Sequence, residues 1–169
     1  MEVLEAIFSR RSVRRFTGQA VPAELLELLL KAAMAAPSAV NAQPWQFVVI
    51  DSREVLEGIA AFHPSGEIVR QAQAAILVCG DESLQTRPNR WIMDCSAATQ
   101  NILLAAHASG LGAVWLGVHP EPARIDGVRK LIGLPPQVHP LSLVALGYPA
   151  ETPPPANRFR SDRVRRNHW

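Results

Sequence analysis

Between residues 21 and 149 the apolar pattern of the chain changes period again and again, and this alternation limits the possible folds more than any other feature. VPAELLELLLKAAMAAPS (21–38) carries leucines and alanines at helical spacing, with Pro22 suited to a first helical position and Pro37 to a stop. QFVVI (46–50) and AAILVCG (74–80) are short apolar runs that predict buried strands, and the amphipathic SREVLEGIAAF (52–62) between them predicts a helix. NRWIMDCSAATQNILLAAHASG (89–110) predicts the longest helix, closed by Gly110 just past its end. AVWLGV (113–118) reads as a strand, PARIDGVRKLIGL (122–134) as a helix and HPLSLVALGYP (139–149) as a last strand. Val3, Leu4, Ile7 and Phe8 add a short helix over 2–9. Helix and strand alternate with few hairpin signals, so the expected class is α+β, an α/β-type sheet covered by helices. The order of the strands is not contained in the pattern.

The chain has 169 residues, 48% hydrophobic and 19% charged, which suits one compact domain over 1–152. Past Gly147 the composition changes to the proline-rich ETPPPANRFRSDRVRRNHW (151–169), which forbids helix or central strand and predicts an extended arm over 153–169, belonging to the same domain. A net charge of +2 is too small for a surface built to coat a phosphate backbone, which argues against nucleic acid as a partner. Cys79 and Cys95 sit in apolar surroundings without paired spacing and are expected as reduced, buried thiols. No signal-peptide pattern and no apolar run of ~20 residues occurs, so a cytoplasmic location and no membrane partner are expected.

Against that modest charge, RRSVRRF crowds Arg10, Arg11, Arg14 and Arg15 around Ser12. A planar guanidinium fork suits a phosphate, and a serine hydroxyl with loop amides completes such a shell. A hydrated basic loop is the other reading of the same residues. The remaining motifs point away from side-chain chemistry. G-L-G at 110–112 follows a helix and precedes a strand, the reverse of a dinucleotide-binding loop. The histidines 63, 107, 119, 139 and 168 lack metal-ligand spacing, and no nucleophile elbow appears. Any chemistry is therefore expected from a bound cofactor, which the protein binds, orients and polarises.

R-R-S-x-R-x-F near the start, A-P-S-A-x-N-x-Q-P-W-x-F at 36–47, D-C-S-A-A-x-Q-N at 94–101, G-L-G-x-x-W-L-G at 110–117 and an arginine-bearing arm ending in Trp169 together resemble the FMN-dependent nitroreductase family over nearly the whole chain. The resemblance implies an intertwined homodimer with extended C-terminal arms. It implies that Arg10, Arg11 and Ser12 hold the FMN phosphate and ribityl chain, with Arg14 near the pyrimidine ring. Pro37, Ser38, Ala39, Asn41 and Gln43 would reach the ring from the partner subunit. Trp115, Leu116 and Gly117 would lie along one face, with a backbone N–H of Leu116 or Gly117 near N5. Arg158 and Arg160 would complete the phosphate shell.

The activity so implied takes hydride from NADH or NADPH and passes electrons to a small-molecule acceptor such as a nitroaromatic or quinone, in a ping-pong cycle, with no catalytic side chain and no metal. A flavin-storage protein and a nucleic-acid-binding module using both basic ends are the alternatives. A cation such as Arg14 near the flavin would favour its reduction. The small-sided helix 89–109, with Ala97, Ala98, Ala105, Ala106 and Ala108, would permit close helix approach in a dimer core or in the core of one chain. About a dozen residues, 62–73, are expected to form a small or open lid, with Arg70 and Gln71 as unassigned neighbours of the ring.

Overall fold

A computed structural model describes residues 1–85 and 87–169. Its helices are α1 (Val3–Ser9), α2 (Ala23–Met34), α3 (Arg53–Phe62), α4 (Gly66–Gln71), α5 (Arg90–Ala108) and α6 (Pro122–Ile132), and its strands β1 (Trp45–Ile50), β2 (Ala74–Asp81), β3 (Gly112–Gly117) and β4 (Val138–Gly147). The strands form one sheet in the order β1-β2-β4-β3 with every neighbouring pair antiparallel. The α+β expectation is met, by a sheet whose central strands are β2 and β4.

Both faces of those strands are covered, so they read as unbroken apolar runs rather than alternating ones. Ala74, Ile76 and Val78 of β2 pack against α2 and α5, whereas Ala75, Leu77 and Cys79 face the layer of α3, α4 and α6. Leu29 on α2 and Ile102 on α5 are fully buried in the first layer, Leu56 and Ile59 on α3 in the second. Each such side chain contributes roughly 1.5–3 kcal/mol by leaving water.

Element ends follow local chemistry. Pro22 caps α2 rather than opening it, and the helix stops at Met34, before Pro37. Gly110 (φ 79°) ends α5 as expected, and Gly133 (φ 76°) ends α6. The 62–73 stretch, expected as a small or open lid, contains a short packed helix. Half of it is α4, whose Val69 is fully buried and whose Gly66 sits so close to the Ala60 carbonyl that a Cβ would lie 2.1 Å from it. His63, Pro64, Ser65 and Gly66 resemble a loop in sequence, and a six-residue helix is too short to show a period. Arg70 pairs with Glu57 of α3 and with Glu67 of its own helix, and Gln71 donates to Glu67 within α4. Of the small residues of α5, Ala98 and Ala106 are fully buried within this chain's own core.

Candidate functional site

The arginine-rich stretch is a fixed extended segment. The Val13 amide donates to the Ala113 carbonyl (3.0 Å) and the Thr17 amide to the Tyr148 carbonyl (2.8 Å). Phe16 forms a bridge with Pro149, and the Ala150 amide donates to the Arg15 carbonyl (2.9 Å). The Arg14 amide donates to Glu151 Oε1 at 2.6 Å. Val13 and Phe16 are both only 8% exposed. Val13 and Phe16 turn inward, while Arg14 and Arg15 between them remain exposed.

The arm at the other end of the chain returns to this segment. Arg11 donates to the carbonyls of Phe8 and Arg10 and, through Nε and Nη2, to those of Pro154 and Ala156, so its guanidinium clamps the arm to the end of α1. A cavity of about 530 Å³ lies alongside, lined by Phe8, Arg10, Arg11, Asn157, Arg158 and Phe159 among others. Burial, and after it the like charges of Arg158 and Arg11, hold the Arg10 guanidinium below its ordinary pKa. Among the described residues neither Arg10 nor Arg158 has an ion-pair partner. Cations held together without a carboxylate define a place that an anion would stabilise. Arg160 grips Asp162 through two hydrogen bonds of 3.0 Å and does not line that cavity.

The Pro37–Gln43 turn lies elsewhere on this chain. Its Ala39–Asn41 turn of 3-10 helix contains Val40 at φ 49° and Asn41 at φ 58°, followed by Gln43 at φ 50°. Left-handed backbone is costly for a β-branched valine and persists where surroundings impose it. Asp94 of α5 is one of those surroundings, taking the Ala39 amide on Oδ1 at 3.0 Å. Ser38 Oγ accepts from the Gln43 amide (3.0 Å), Gln43 donates to Asn41, and Asn101 of α5 donates to the Ala32 carbonyl near the end of α2. Pro37, Ser38 and Ala39 open with Arg87, Arg90 and Asp94 onto a second cavity of about 470 Å³, where Asp94 Oδ2 is buried without a partner. One chain therefore brings Arg10, Arg11 and Arg158 together and leaves Pro37, Ser38 and Ala39 at a separate opening, with Asn41 and Gln43 exposed on the same turn.

β3 forms an edge of the sheet. In an antiparallel strand, the N–H and C=O of one residue point to the same side, and the next residue's to the other. The Val118 amide donates inward to Leu141 of β4, and the Ala113 carbonyl faces outward to Val13, which sets the phase. Leu116 then points into the sheet, while Trp115 and Gly117 present their amides along the free edge. Ala113 and Gly117 stand about 13 Å apart on that edge.

The Gly117 carbonyl accepts from Arg124 Nη1 (3.0 Å) and from His63 Nε2 (3.1 Å). Sequence reasoning passes over both donors, as it does Asp94's contact with the turn and Glu151's with Arg14. No motif marks His63, Arg124 or Glu151, whereas Asp94 stands inside the quoted D-C-S run. Among the described residues no cluster of His, Cys, Asp or Glu could hold a metal ion, and no helix is long and apolar enough to cross a membrane.

Comparison with known proteins gives this arrangement its place. The model of the nitroreductase family matches residues 7–82 and 62–148. A Methanothermobacter thermautotrophicus protein, named as a candidate NADH dehydrogenase/NAD(P)H nitroreductase, is 50% identical over 169 residues, covering 100% of this chain and 88% of its own. A crystal structure of a similarly named protein from Parabacteroides distasonis superposes with a TM-score of 0.95 at 40% identity, covering 99% of this chain and 98% of the other. A candidate nitroreductase from Desulfovibrio desulfuricans, solved in complex with FMN, gives 0.87 at 35% identity, covering 100% and 98%. The chain belongs to the nitroreductase family, a family of oxidoreductases.

Proposed function

We propose that this protein is an FMN-dependent oxidoreductase that takes hydride from NADH or NADPH and reduces a small organic acceptor, a nitroaromatic or quinone, in a ping-pong cycle. The observation that carries the reading is the meeting of Arg10 and Arg158, from opposite ends of the chain, at a cavity beside the segment that pairs with the edge of β3. Their mutual repulsion fits a phosphate. FMN, when bound, supplies the hydride chemistry.

The chain's own residues bind and orient. Arg10 and Arg158 hold the phosphate, with the Ser12 hydroxyl beside them, and Arg14 lies toward the ring. Arg11 keeps the arm in place through its four carbonyl contacts. Arg160 adds to the phosphate shell by exchanging its exposed partner Asp162 for the anion, at small cost because such surface pairs are worth roughly 0–1 kcal/mol. Trp115, Leu116 and Gly117 run beside the ring, and strand alternation selects the Gly117 amide over that of Leu116 as the one facing N5. The strained Pro37–Gln43 turn closes the ring's other side from a second copy of the chain, which makes the working unit a homodimer.

Titration of the apoprotein with FMN tests this reading. The complex should be yellow, bleach on anaerobic addition of NADH or NADPH, and recover its colour when a nitroaromatic or quinone follows. Failure to bind FMN would overturn the proposal, and binding without bleaching by either nucleotide would leave a flavin-storage protein.

A further inference from the structure

We propose that His63 and Arg124 are positioning residues that hold the Gly117 peptide on the free edge of β3 and thereby set the reduction potential of the flavin bound there. This rests on the reading of that edge as the ring site. Gly117 is the last residue of β3, and its outward carbonyl has no strand to pair with. A carbonyl oxygen has two acceptor positions, and here both are filled by side chains from different elements. Arg124 donates from the first turn of α6, at 3.0 Å. His63 donates from the cap of α3, at 3.1 Å.

The His63 ring cannot turn to another role. Its Nδ1 accepts from the Ser65 amide (3.1 Å), so Nε2 must carry the single proton and give it to Gly117. The imidazole is only 5% exposed. Burial, the largest influence, outweighs the pull of the Gly117 carbonyl toward protonation, and the neighbouring Arg124 charge adds to it, so the neutral form is favoured. The ring thus links the α3–α4 corner to the end of β3 in one fixed tautomer.

Glycine itself would not hold the edge still. It has wide backbone freedom, and at position 117 a Cβ would meet only Arg124 Nη1, at an ordinary 3.7 Å. Packing among the described residues does not require a glycine there, so its bare backbone leaves the edge open to a ligand, while the two donors supply the rigidity that a side chain would have given. The carbonyl and the N–H of Gly117 lie in successive peptide planes that meet at its Cα, so anchoring the carbonyl plane through Arg124, His63 and the Val118 amide limits the torsions by which the glycine could turn its N–H off the edge. A donor held at N5 favours the oxidised ring, whose N5 accepts, over the reduced ring, whose N5 carries a hydrogen. Loosening the donor should therefore raise the potential.

The test compares wild type with Arg124→Ala, His63→Ala and Arg124→Lys, each reconstituted with FMN. The readouts are the two-electron midpoint potential, the affinity for oxidised FMN and for riboflavin, and the melting temperature. Arg124→Ala and His63→Ala should each weaken oxidised flavin about tenfold relative to reduced flavin, a rise of about 30 mV for a two-electron couple. Riboflavin should be weakened as much as FMN, because the defect lies at the ring. Arg124→Lys, which keeps a donor, should return most of the shift.

Alanine variants that bind FMN with an unchanged potential would overturn the proposal, and so would a lowered melting temperature as their only change. A wild type that binds neither flavin would remove the ring-site reading itself, and this proposal with it, an outcome visible before any variant is made.

Discussion

Arg10 and Arg11 are neighbours with different work. The Arg11 guanidinium is spent on backbone carbonyls of α1 and the arm, while Arg10 faces Arg158 with no anion between them. Arg10→Ala and Arg158→Ala should therefore each weaken FMN by about 1.5–3 kcal/mol, roughly ten- to a hundred-fold, and scarcely change riboflavin, which lacks the phosphate. Because both arginines would hold one anion, the double variant should depart from additivity in the same titration. Equal losses for both flavins would mean that the pair does not meet the phosphate. The cluster was legible as a string of cations around a serine. Which of them is free was not, because that depends on carbonyls some 145 positions away.

At the scale of elements, the position of the 10–17 segment depends on the absence of two β-carbons. A Cβ on Gly112 would lie 2.7 Å from Val13 Cγ1, and one on Gly147 would lie 2.9 Å from Phe16 Cβ. Gly112→Ala should thus push Val13 from β3, strain the hydrogen bond from its N–H to the Ala113 carbonyl, and lower stability by about 1–3 kcal/mol in urea denaturation. Adding Val13→Ala should recover part of the loss, and a Gly112→Ala protein as stable as wild type would contradict the packing described. The two central strands were legible because burial on both faces leaves long apolar runs, and the edge strands β1 and β3 because they are short and rich in β-branched and aromatic residues. Their all-antiparallel order was not, since helices that connect strands are compatible with several orders. α4 stayed hidden behind Pro64, Ser65 and Gly66, and Gly117's two donors because neither α3 nor α6 carries a mark of its far end.

For the whole molecule, the surface describes an unfinished object. Val3, Leu4 and Phe8 on α1, Val40 in the strained turn, Met93 on α5, and Phe159 and Trp169 in the arm are all exposed. Exposed apolar side chains at these separate places fit a second copy better than solvent. The protein should sediment at twice its 18.5 kDa. Truncation before Pro153 should lower both FMN affinity and the dimer fraction, and a monomeric wild type would remove the two-chain site. The prolines predict an extended arm, in which the structure places a single 3-10 turn at Ser161–Arg163, and its attachment through Arg11 became visible only in three dimensions.

That attachment imposes an order of events on the newborn chain. A ribosome releases Arg10 early and Arg158 only after all four strands have been made. A phosphate held by both, as proposed, would have to wait until the arm has left the ribosome. The sheet and its two helical layers already enclose their own apolar core without that contact.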